Sequence, residues 1–262
     1  MKVLIIGGTA DGRKLATQLF ELGFEVVYSI AGLVRKATVP CAVISGGFTQ
    51  FGGLSKYITD NAITHVVDAT HPFAQTMSNT IAQVTKNLII PSIRFHRKEW
   101  PKTSNDHWIE VCNWEELIAK IVPNQRLFLT AGQVSQEVIE ALAEQSKQIL
   151  IRTAMPAKIN LPDNVLWLKA IGPFKVEDER RLIKQYQIEA VISKNSGGKS
   201  TYAKIQAAAE ANIPVYQFKR PLLAPLLYQF DNQEDCIKQL ASFLTPSDSV
   251  KRQTNNEFID GI

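Results

Sequence analysis

Short apolar runs alternate with helical patterns along nearly the whole chain, and this alternation constrains the fold most strongly. In the first half the runs lie at residues 3–6, 25–29, 41–45, 65–69 and 92–95. In the second half they lie at residues 127–130, 148–152, 166–170, 190–193 and 215–218. Helical spacing of apolar residues starts near residues 11, 54 and 73 and recurs at about 135–145, 176–186, 200–211 and 233–244. Such alternation is typical of parallel sheets that are covered by helices on both faces.

The chain of 262 residues is long enough for two domains of ordinary size. We therefore predict an α/β fold with two Rossmann-like lobes, mainly parallel sheets, and a cleft between the lobes. The first lobe is expected to span residues 1–110 and the second residues 111–245. Residues 97–113 contain Pro101 and several polar side chains, which predicts a connector. Residues 246–262 are polar, and we expect a disordered tail there.

The composition excludes several classes of protein. The net charge of +4 is spread along the chain without a basic block, so nucleic acid is not an expected partner. Cys41, Cys112 and Cys236 are far apart, which predicts thiols in a reducing compartment and no metal site. There is no signal-peptide pattern, and no apolar run approaches the roughly 20 residues of a membrane span. We expect a cytoplasmic protein without a membrane partner.

A glycine turn follows the first apolar run. Gly7, Gly8 and Thr9 stand between this run and a helical pattern that ends at Gly23. A strand, a tight turn and a helix N-terminus together place backbone N–H groups where a phosphate can bind. The standard dinucleotide fingerprint would have glycine at position 9, where threonine stands. We predict that Gly7, Gly8 and Thr9 bind a nucleotide, and a purely structural corner stays open as the alternative.

The end of the second run bears on the choice of cofactor. An NAD-binding fold usually has Asp or Glu here to bind the ribose 2′-hydroxyl, whereas this chain has Ser29 and, further on, Arg35. A hydroxyl and a cation suit the 2′-phosphate of NADP, which a carboxylate would repel. The pattern favours NADPH as cofactor, with NADH as the open alternative.

The loop after the fourth run combines several reactive side chains. Asp68, Thr70, His71 and Pro72 lie in the stretch of residues 68–74. Pro72 suits the start of the next helix, and a cofactor lying across the sheet would reach this loop. We predict that Asp68, Thr70 and Pro72 contact the cofactor and that His71 is a catalytic candidate for proton transfer. The alternative is that Asp68 caps the turn and His71 is hydrogen-bonded within the loop.

A second glycine-rich turn lies in the C-terminal half. Residues 193–200 resemble the end of a phosphate-binding P-loop, but Ser193 stands where the first P-loop glycine is required. Lys194 precedes a turn of glycine and hydroxyl side chains that could cradle an anion. Two solvated lysines on a glycine turn are the alternative. Arg94 and Arg97 are further cations near a strand end, where guanidinium groups can recognise carboxylates.

Taken together, these motifs resemble the precorrin-6A reductase family of the cobalamin pathway, including its cobalt-precorrin-6A members. The motifs occur in order: Gly7-Gly8-Thr9 with Arg13, Ser29 with Ala31-Gly32, Gly46-Gly47-Phe48, the stretch 68–74, Gly172-Pro173-Phe174, the stretch 194–198, and Arg220-Pro221. The resemblance runs from about residue 2 to residue 221, and the two stretches 68–74 and 194–198 are its most specific parts. One departure is visible, because family members usually have glutamate where Asp11 stands.

The resemblance implies a reductase that transfers hydride from a reduced nicotinamide cofactor to a tetrapyrrole. In this family the C18–C19 double bond is reduced, with hydride arriving at C19 and a proton at C18, and water could supply that proton. The substrate carries many carboxylates. The resemblance therefore implies substrate binding by a cationic and glycine-rich set of residues: Arg94, Arg97, Lys194, Asn195, Ser196, Gly197 and Gly198.

Four other functions are alternatives to this hypothesis. A short-chain dehydrogenase would need Tyr-x-x-x-Lys, and none of the six tyrosines has a lysine four residues later. A P-loop NTPase fails at Ser193. A different NAD(P)-binding Rossmann reductase, or a non-catalytic nucleotide-binding protein, stays open, and oxidation of NADPH on addition of the tetrapyrrole would separate the latter from the reductase.

Overall fold

The computed structural model describes residues 1–32, 38–156 and 158–243. Arg35 and the predicted tail at 246–262 lie outside these residues. The chain divides into two units, of which the first comprises Met1–Arg97 with Leu222–Ile262 and the second Lys98–Pro221. Each unit contains a six-stranded sheet in which every pair of neighbouring strands is parallel.

The first unit is built from alternating strands and helices. Its elements are β1 (Lys2–Ile6), α1 (Ala10–Glu21), β2 (Glu25–Ile30), β3 (Ala42–Ser45), α2 (Leu54–Asp60), β4 (His65–Asp68), α3 (Gln75–Asn87) and β5 (Ser92–Phe95), then β12 (Tyr228–Phe230) and α8 (Gln233–Ser242). The strand order is β12-β5-β4-β1-β2-β3. Val3 and Ile5 pack with α1 and α8 on one face of the sheet, and Leu4 and Ile6 pack with α2 and α3 on the other. Burial on both faces explains why β1 is apolar throughout.

The second unit repeats this plan. Its elements are β6 (Trp108–Val111), α4 (Trp114–Lys120), β7 (Arg126–Leu129), α5 (Gln136–Gln145), β8 (Gln148–Thr153), β9 (Val165–Lys169), α6 (Val176–Gln185), β10 (Ala190–Lys194), α7 (Ala203–Glu210) and β11 (Val215–Phe218). The strand order is β6-β11-β10-β7-β8-β9. One face of this sheet packs against α6 and α7 through a cluster that includes Phe128, Leu150, Ile183 and Ile205.

The structure confirms the predicted α/β class with parallel sheets, and it differs from the sequence predictions in detail. The predicted connector at 97–113 contains β6, which pairs with β11. The helix α4 and the short strand β12 were not predicted. Because β12 pairs with β5 and α8 packs beside it, the C-terminal segment belongs to the first unit. The two units therefore differ from the predicted lobes 1–110 and 111–245.

Candidate functional site

The glycine turn between β1 and α1 is shaped by close packing. A Cβ atom at Gly7 would overlap the ring of Tyr28, so only glycine fits there. Gly8 has a φ of 119°, which a side chain rarely adopts, and the space around its Cβ position is open. Gly12 lies in the first turn of α1, where an added Cβ would lie 3.4 Å from Ala69. Gly7 thus needs to be glycine because of the Tyr28 ring, whereas the contact at Gly12 is ordinary van der Waals packing of α1 against Ala69.

Thr9 stands where the fingerprint has its middle glycine, and the backbone conformation there does not require glycine. Its backbone is extended, with a φ of −100°, which any residue adopts. Its side chain Oγ1 accepts a hydrogen bond from the N–H of Gly12 at 3.0 Å and so caps the N-terminus of α1. The threonine therefore stabilises the start of the helix, and the turn keeps its shape without glycine at this position.

Tyr28 is a part of this turn that sequence analysis missed. Its phenol oxygen accepts a hydrogen bond from Gly8 N–H at 2.9 Å and lies 3.5 Å from the carbonyl oxygen of Thr9. Burial raises the pKa of Tyr28 above its usual value, more than the Gly8 hydrogen bond lowers it. A tyrosine inside a strand pattern is typical of a buried core residue, and only the missing Cβ of Gly7 hinted that a ring lies beneath the turn.

The N-terminus of α1 provides hydrogen-bond donors and carries one acidic side chain. Within the described part of the chain, the backbone N–H groups of Ala10 and Asp11 donate no hydrogen bond. The carboxylate of Asp11 forms an ion pair with Arg97, and both side chains are partly buried. Because this pair offsets the acidic charge, the helix start stays suitable for a phosphate group.

The end of β2 lies beside the glycine turn. Ser29 pairs with Ile6 in the sheet, and its carbonyl oxygen accepts a hydrogen bond from Gly7 N–H at 2.9 Å. The side chain of Ser29 is buried. Its predicted partner in 2′-phosphate binding, Arg35, lies outside the described residues. The preference between the two cofactors therefore stays a prediction.

Asp68 lies at the carboxyl end of β4 and organises the 68–74 loop, which we name by these residues. Its Oδ1 accepts hydrogen bonds from the backbone N–H of Thr70 at 3.2 Å and from the hydroxyl of Thr70 at 2.7 Å. The Thr70 hydroxyl lies 3.1 Å from that of Ser78 in α3. The other carboxylate oxygen of Asp68, Oδ2, accepts a hydrogen bond from Nε of Arg94 at 2.9 Å. Both side chains of this ion pair are 2% exposed. Asp68 thus holds the loop in one conformation.

Arg94 has structural partners on three sides. Besides Asp68, its guanidinium donates to the carbonyl oxygen of Ala224 at 2.8 Å and to that of Ser78 at 3.4 Å. A guanidinium that is buried and hydrogen-bonded in this way fits the positioning of the 68–74 loop better than the predicted contact with a substrate carboxylate. Arg97 likewise has Asp11 as its ionic partner.

His71 follows in the same loop and is half-buried. Its Nδ1 accepts a hydrogen bond from the backbone N–H of Phe73 at 3.2 Å, and its carbonyl oxygen accepts from Ala74 N–H at 2.7 Å. Because Nδ1 is an acceptor, the ring proton of the neutral imidazole is on Nε2. Pro72 is buried in the turn, and α3 begins at Gln75, three residues later than Pro72. Pro72 therefore shapes the loop but does not start the helix.

In the second unit, residues 194–201 form a glycine-rich loop after β10, which we call the 194–201 loop. Asn195 is buried and bridges to the backbone of Trp100, with Oδ1 accepting from its N–H at 2.8 Å and Nδ2 donating to its carbonyl at 3.2 Å. A Cβ atom at Gly197 would overlap the carbonyl oxygen of Lys98, and Gly197 has a φ of 69°. The Ser196 hydroxyl lies 3.2 Å from that of Thr201. The loop is thus tightly packed around Asn195 and Gly197.

Lys194, Gly198 and the residues behind them complete this loop. Burial lowers the pKa of Lys194, which ends β10. Gly198 precedes a single 3-10 turn, Lys199–Thr201, and α7 follows. This arrangement differs from a P-loop, in which an α-helix starts directly after the glycines.

A buried ionic cluster supports the loop and was not predicted. Arg152 at the end of β8 forms an ion pair with Glu179 of α6, and its guanidinium stacks 3.8 Å from the ring centroid of Phe174. Nζ of Lys204 donates to the carbonyl oxygen of Thr201 at 2.8 Å. Burial and, to a smaller extent, the charge of Arg152 lower the pKa of Lys204 to about 7, and the charge of Glu179 opposes these two effects. Buried charges are rare, and no sequence motif singled out Arg152, Glu179 or Lys204.

Comparison with known proteins identifies the family. The family model described as precorrin-6x reductase CbiJ/CobK matches residues 2–244. The chain belongs to this family. A solved structure named CobK precorrin-6A reductase agrees with this fold at a TM-score of 0.85 and 31% identity, covering 94% of this chain and 98% of that chain. The predicted resemblance and fold class are thereby confirmed.

Named relatives of the precorrin-6x reductase family include both substrate types. A precorrin-6A reductase of Mycobacterium tuberculosis is 39% identical over 228 residues, which cover 85% of this chain and 90% of the relative. The protein of that name from Rhodococcus erythropolis is 35% identical over 236 residues, covering 88% and 94%. A cobalt-precorrin-6A reductase of Priestia megaterium is 27% identical over 235 residues, covering 84% and 90%.

The described residues also bear on metal binding and on membrane insertion. Among the described residues of this precorrin-6x reductase family member, no group of three or more His, Cys, Asp or Glu side chains is placed to hold a metal ion. In the same part of the chain, no helix is long and apolar enough to cross a bilayer.

Proposed function

We propose that this chain reduces the C18–C19 double bond of precorrin-6A, or of its cobalt-containing form, with NADPH as the reductant. The observation that carries the proposal is the match to the precorrin-6x reductase family over residues 2–244. Relatives named for the metal-free and for the cobalt-containing substrate both align with most of the chain, so both substrates belong in the proposal.

The first unit has the features that a dinucleotide requires. The turn is open above Gly8, and the N–H groups of Ala10 and Asp11 lie at the N-terminus of a 12-residue helix. We assign the pyrophosphate to this turn. Ser29, at the end of the neighbouring strand, supports the proposed contact with the ribose side of NADPH, together with Arg35.

The 68–74 loop is the proposed catalytic element. When bound, the reduced nicotinamide supplies the hydride, which goes to C19 of the substrate. Asp68 and Arg94 hold the loop, and this fixed geometry aligns the reacting groups without a cost at the moment of reaction. We propose His71 as the donor of the C18 proton through its imidazolium form, which gives up one ring proton and becomes the neutral imidazole, and water is the alternative donor.

The 194–201 loop is the proposed element for binding the carboxylates of the substrate. Lys194 contributes a cation, while Ser196, Gly197 and Gly198 contribute the hydroxyl and the backbone of the turn. Asn195 positions the loop through its two hydrogen bonds to Trp100. In this proposal the first unit binds the cofactor and the second recognises the substrate.

An anaerobic absorbance assay tests the proposed function. The protein is mixed with NADPH and either metal-free or cobalt-loaded precorrin-6A, and loss of the NADPH absorbance is followed together with the tetrapyrrole spectrum. We expect both signals to change in equal molar amounts with at least one of the two substrates. NADPH binding without oxidation in the presence of either substrate would overturn the proposal and leave a nucleotide-binding protein.

A further inference from the structure

The segment between β11 and β12 carries two leucines that are exposed to solvent. Residues 222–227, which we call the strap, have no helix or strand, and they belong to the first unit. The side chain of Leu222 is 91% exposed and that of Leu227 is 84% exposed. Single exposed leucines are common on protein surfaces, so the surroundings of each one decide whether it has a role.

The strap is held firmly against α3. The carbonyl oxygen of Leu222 accepts a hydrogen bond from Nε2 of Gln75 at 2.8 Å. Two residues later, Ala224 N–H donates to Oδ1 of Asn79 at 2.8 Å, and the Ala224 carbonyl accepts from Arg94 at 2.8 Å. Leu222 is therefore exposed on an anchored backbone. A backbone held this way loses little conformational freedom when a ligand binds to its side chain.

The same anchors connect the strap to the proposed catalytic loop. Arg94 joins Ala224 to Asp68, which holds the 68–74 loop. Gln75, the partner of Leu222, is the first residue of α3 and follows the loop directly. Leu222 thus lies where α3 begins, at the carboxyl edge of the first sheet, and ligands of parallel α/β sheets bind at this edge.

Leu227 lies at the opposite end of the strap. It immediately precedes β12, whose first residue Tyr228 pairs with Ile93, near the amino end of β5. The strap therefore runs from the functional edge of the sheet toward the other edge. Its two exposed leucines are chemically identical but differ in their distance from the 68–74 loop.

We infer that Leu222 is a substrate-contacting residue whose side chain packs on the apolar face of the tetrapyrrole macrocycle. This inference rests on the proposed function. A tetrapyrrole has a broad apolar face inside a rim of carboxylates, so it needs apolar as well as cationic contacts. The nicotinamide ring is smaller and more polar, which makes the macrocycle the better partner for an isolated leucine.

The experiment compares three alanine variants of equally exposed residues. Leu222→Ala is the test, and Leu227→Ala and Ile89→Ala, at a residue that is 90% exposed just after α3, are the controls. Precorrin-6A binding without NADPH is measured by tryptophan fluorescence, alongside KM, kcat, NADPH affinity and melting temperature. We expect Leu222→Ala to weaken precorrin-6A binding about 5- to 20-fold. Its NADPH affinity and melting temperature, and all properties of the controls, should stay near those of the wild type.

Each outcome of this experiment either supports the substrate contact proposed for Leu222 or overturns it. Leu222→Met keeps an apolar side chain of similar volume and should retain most of the affinity, which separates an apolar contact from a structural defect. Unchanged binding by Leu222→Ala would overturn the inference, and so would a loss that affects NADPH instead. If the wild type binds precorrin-6A but does not oxidise NADPH, the proposed function fails, while the binding comparison still decides the role of Leu222. A wild type that binds neither precorrin-6A nor its cobalt-containing form contradicts both.

Discussion

At the scale of single residues, the start of α1 combines an acidic side chain with a cation. Asp11 places a negative charge beside the N–H groups proposed to bind the pyrophosphate, and Arg97 offsets that charge. A carboxylate near a helix N-terminus stabilises the free helix but repels a phosphate. The pair therefore reconciles an acidic first turn with an anion site.

Loss of the Arg97 charge should weaken cofactor binding, and removal of the Asp11 charge as well should restore it. We expect Arg97→Ala to raise the Kd for NADPH about 5- to 20-fold at low salt, because Asp11 is left uncompensated. The double variant Arg97→Ala with Asp11→Asn should regain most of the affinity. Titration of NADPH by fluorescence measures both, with the exposed Lys98→Ala as a control. If the double variant binds NADPH as weakly as Arg97→Ala does, the charge of Asp11 is not the cause of the lost affinity.

The proposed proton donation by His71 can be tested with a variant that keeps the 68–74 loop intact. Asparagine at this position can still accept the hydrogen bond from Phe73 N–H, but it has no counterpart of Nε2–H. If His71 donates the proton, His71→Asn should lower kcat about 10- to 100-fold with NADPH affinity preserved. Steady-state kinetics decide this point. A kcat near the wild-type value in His71→Asn would assign the proton to water.

The burial of Lys204 should make the unfolding free energy depend on pH. Its pKa is about 7 in the folded protein and 10.5 in a model peptide, so the unfolded chain binds more protons between these values. The cost of burying this lysine is therefore fully present below about pH 7 and decreases as the pH rises toward 10.5. Lys204→Met has no such cost. From pH 6 to pH 9 the wild type should gain about 2–3 kcal/mol of unfolding free energy relative to Lys204→Met.

Urea unfolding at the two pH values checks this prediction for Lys204. Arg152, Glu179 and Trp100 surround the lysine and are the same in both proteins, so their contributions largely cancel in the difference. A difference between the two proteins that does not vary with pH would mean that Lys204 keeps its proton in the folded state.

At the scale of elements, loops that meet other backbone segments are the most sensitive to substitution. Gly197 combines a positive φ with close approach of the Lys98 carbonyl. We expect Gly197→Ala to lower the unfolding free energy by about 2 kcal/mol or more and to raise the substrate KM. Gly32→Ala, where an added Cβ meets no atom of the described residues within 4 Å, should change stability by less than about 0.5 kcal/mol. Equal thermal stability of the two variants would contradict the packing described for the 194–201 loop.

The elements also show what the sequence can and cannot predict. Long buried strands such as β1 and β8 were predicted because burial on both faces requires continuous apolar runs. The strand β12 has only three residues and exists because it pairs with β5, which no local pattern reveals. The helix α4 did have a local signal. Asn113 caps the N–H of Glu116, while Glu116 accepts from Cys112 N–H, a reciprocal cap that is readable as N-x-x-E.

Within the site, the residue types were easier to predict than their roles. Asp68, Thr70 and Asn195 stand in recognisable motifs, but their hydrogen bonds are to Arg94, Ser78 and Trp100, which are distant in sequence or lie in other elements. Tyr28 and Lys204 were missed because a tyrosine in a strand and a lysine in a helix are ordinary. Their roles depend on tertiary packing, which spacing along the chain does not encode.

At the scale of the whole molecule, two sheets of the same plan carry different chemistry at their carboxyl edges. The first unit offers an open glycine turn and the 68–74 loop, and the second offers the 194–201 loop with its buried cationic support. For a member of the precorrin-6x reductase family, we propose that the first set of loops binds the cofactor and the second binds the substrate. The central claim is that the chain delivers a hydride from NADPH to C19 of a precorrin-6A ring.

Transfer of deuterium tests this claim most directly. NADPH labelled with deuterium at the transferable C4 position is incubated anaerobically with the protein and either metal-free or cobalt-loaded precorrin-6A, and the product is analysed by mass spectrometry and NMR. We predict one deuterium per product molecule, located at C19, and solvent-derived hydrogen at C18. A reduced product with no deuterium at C19, or the absence of any reduced product, would contradict the account.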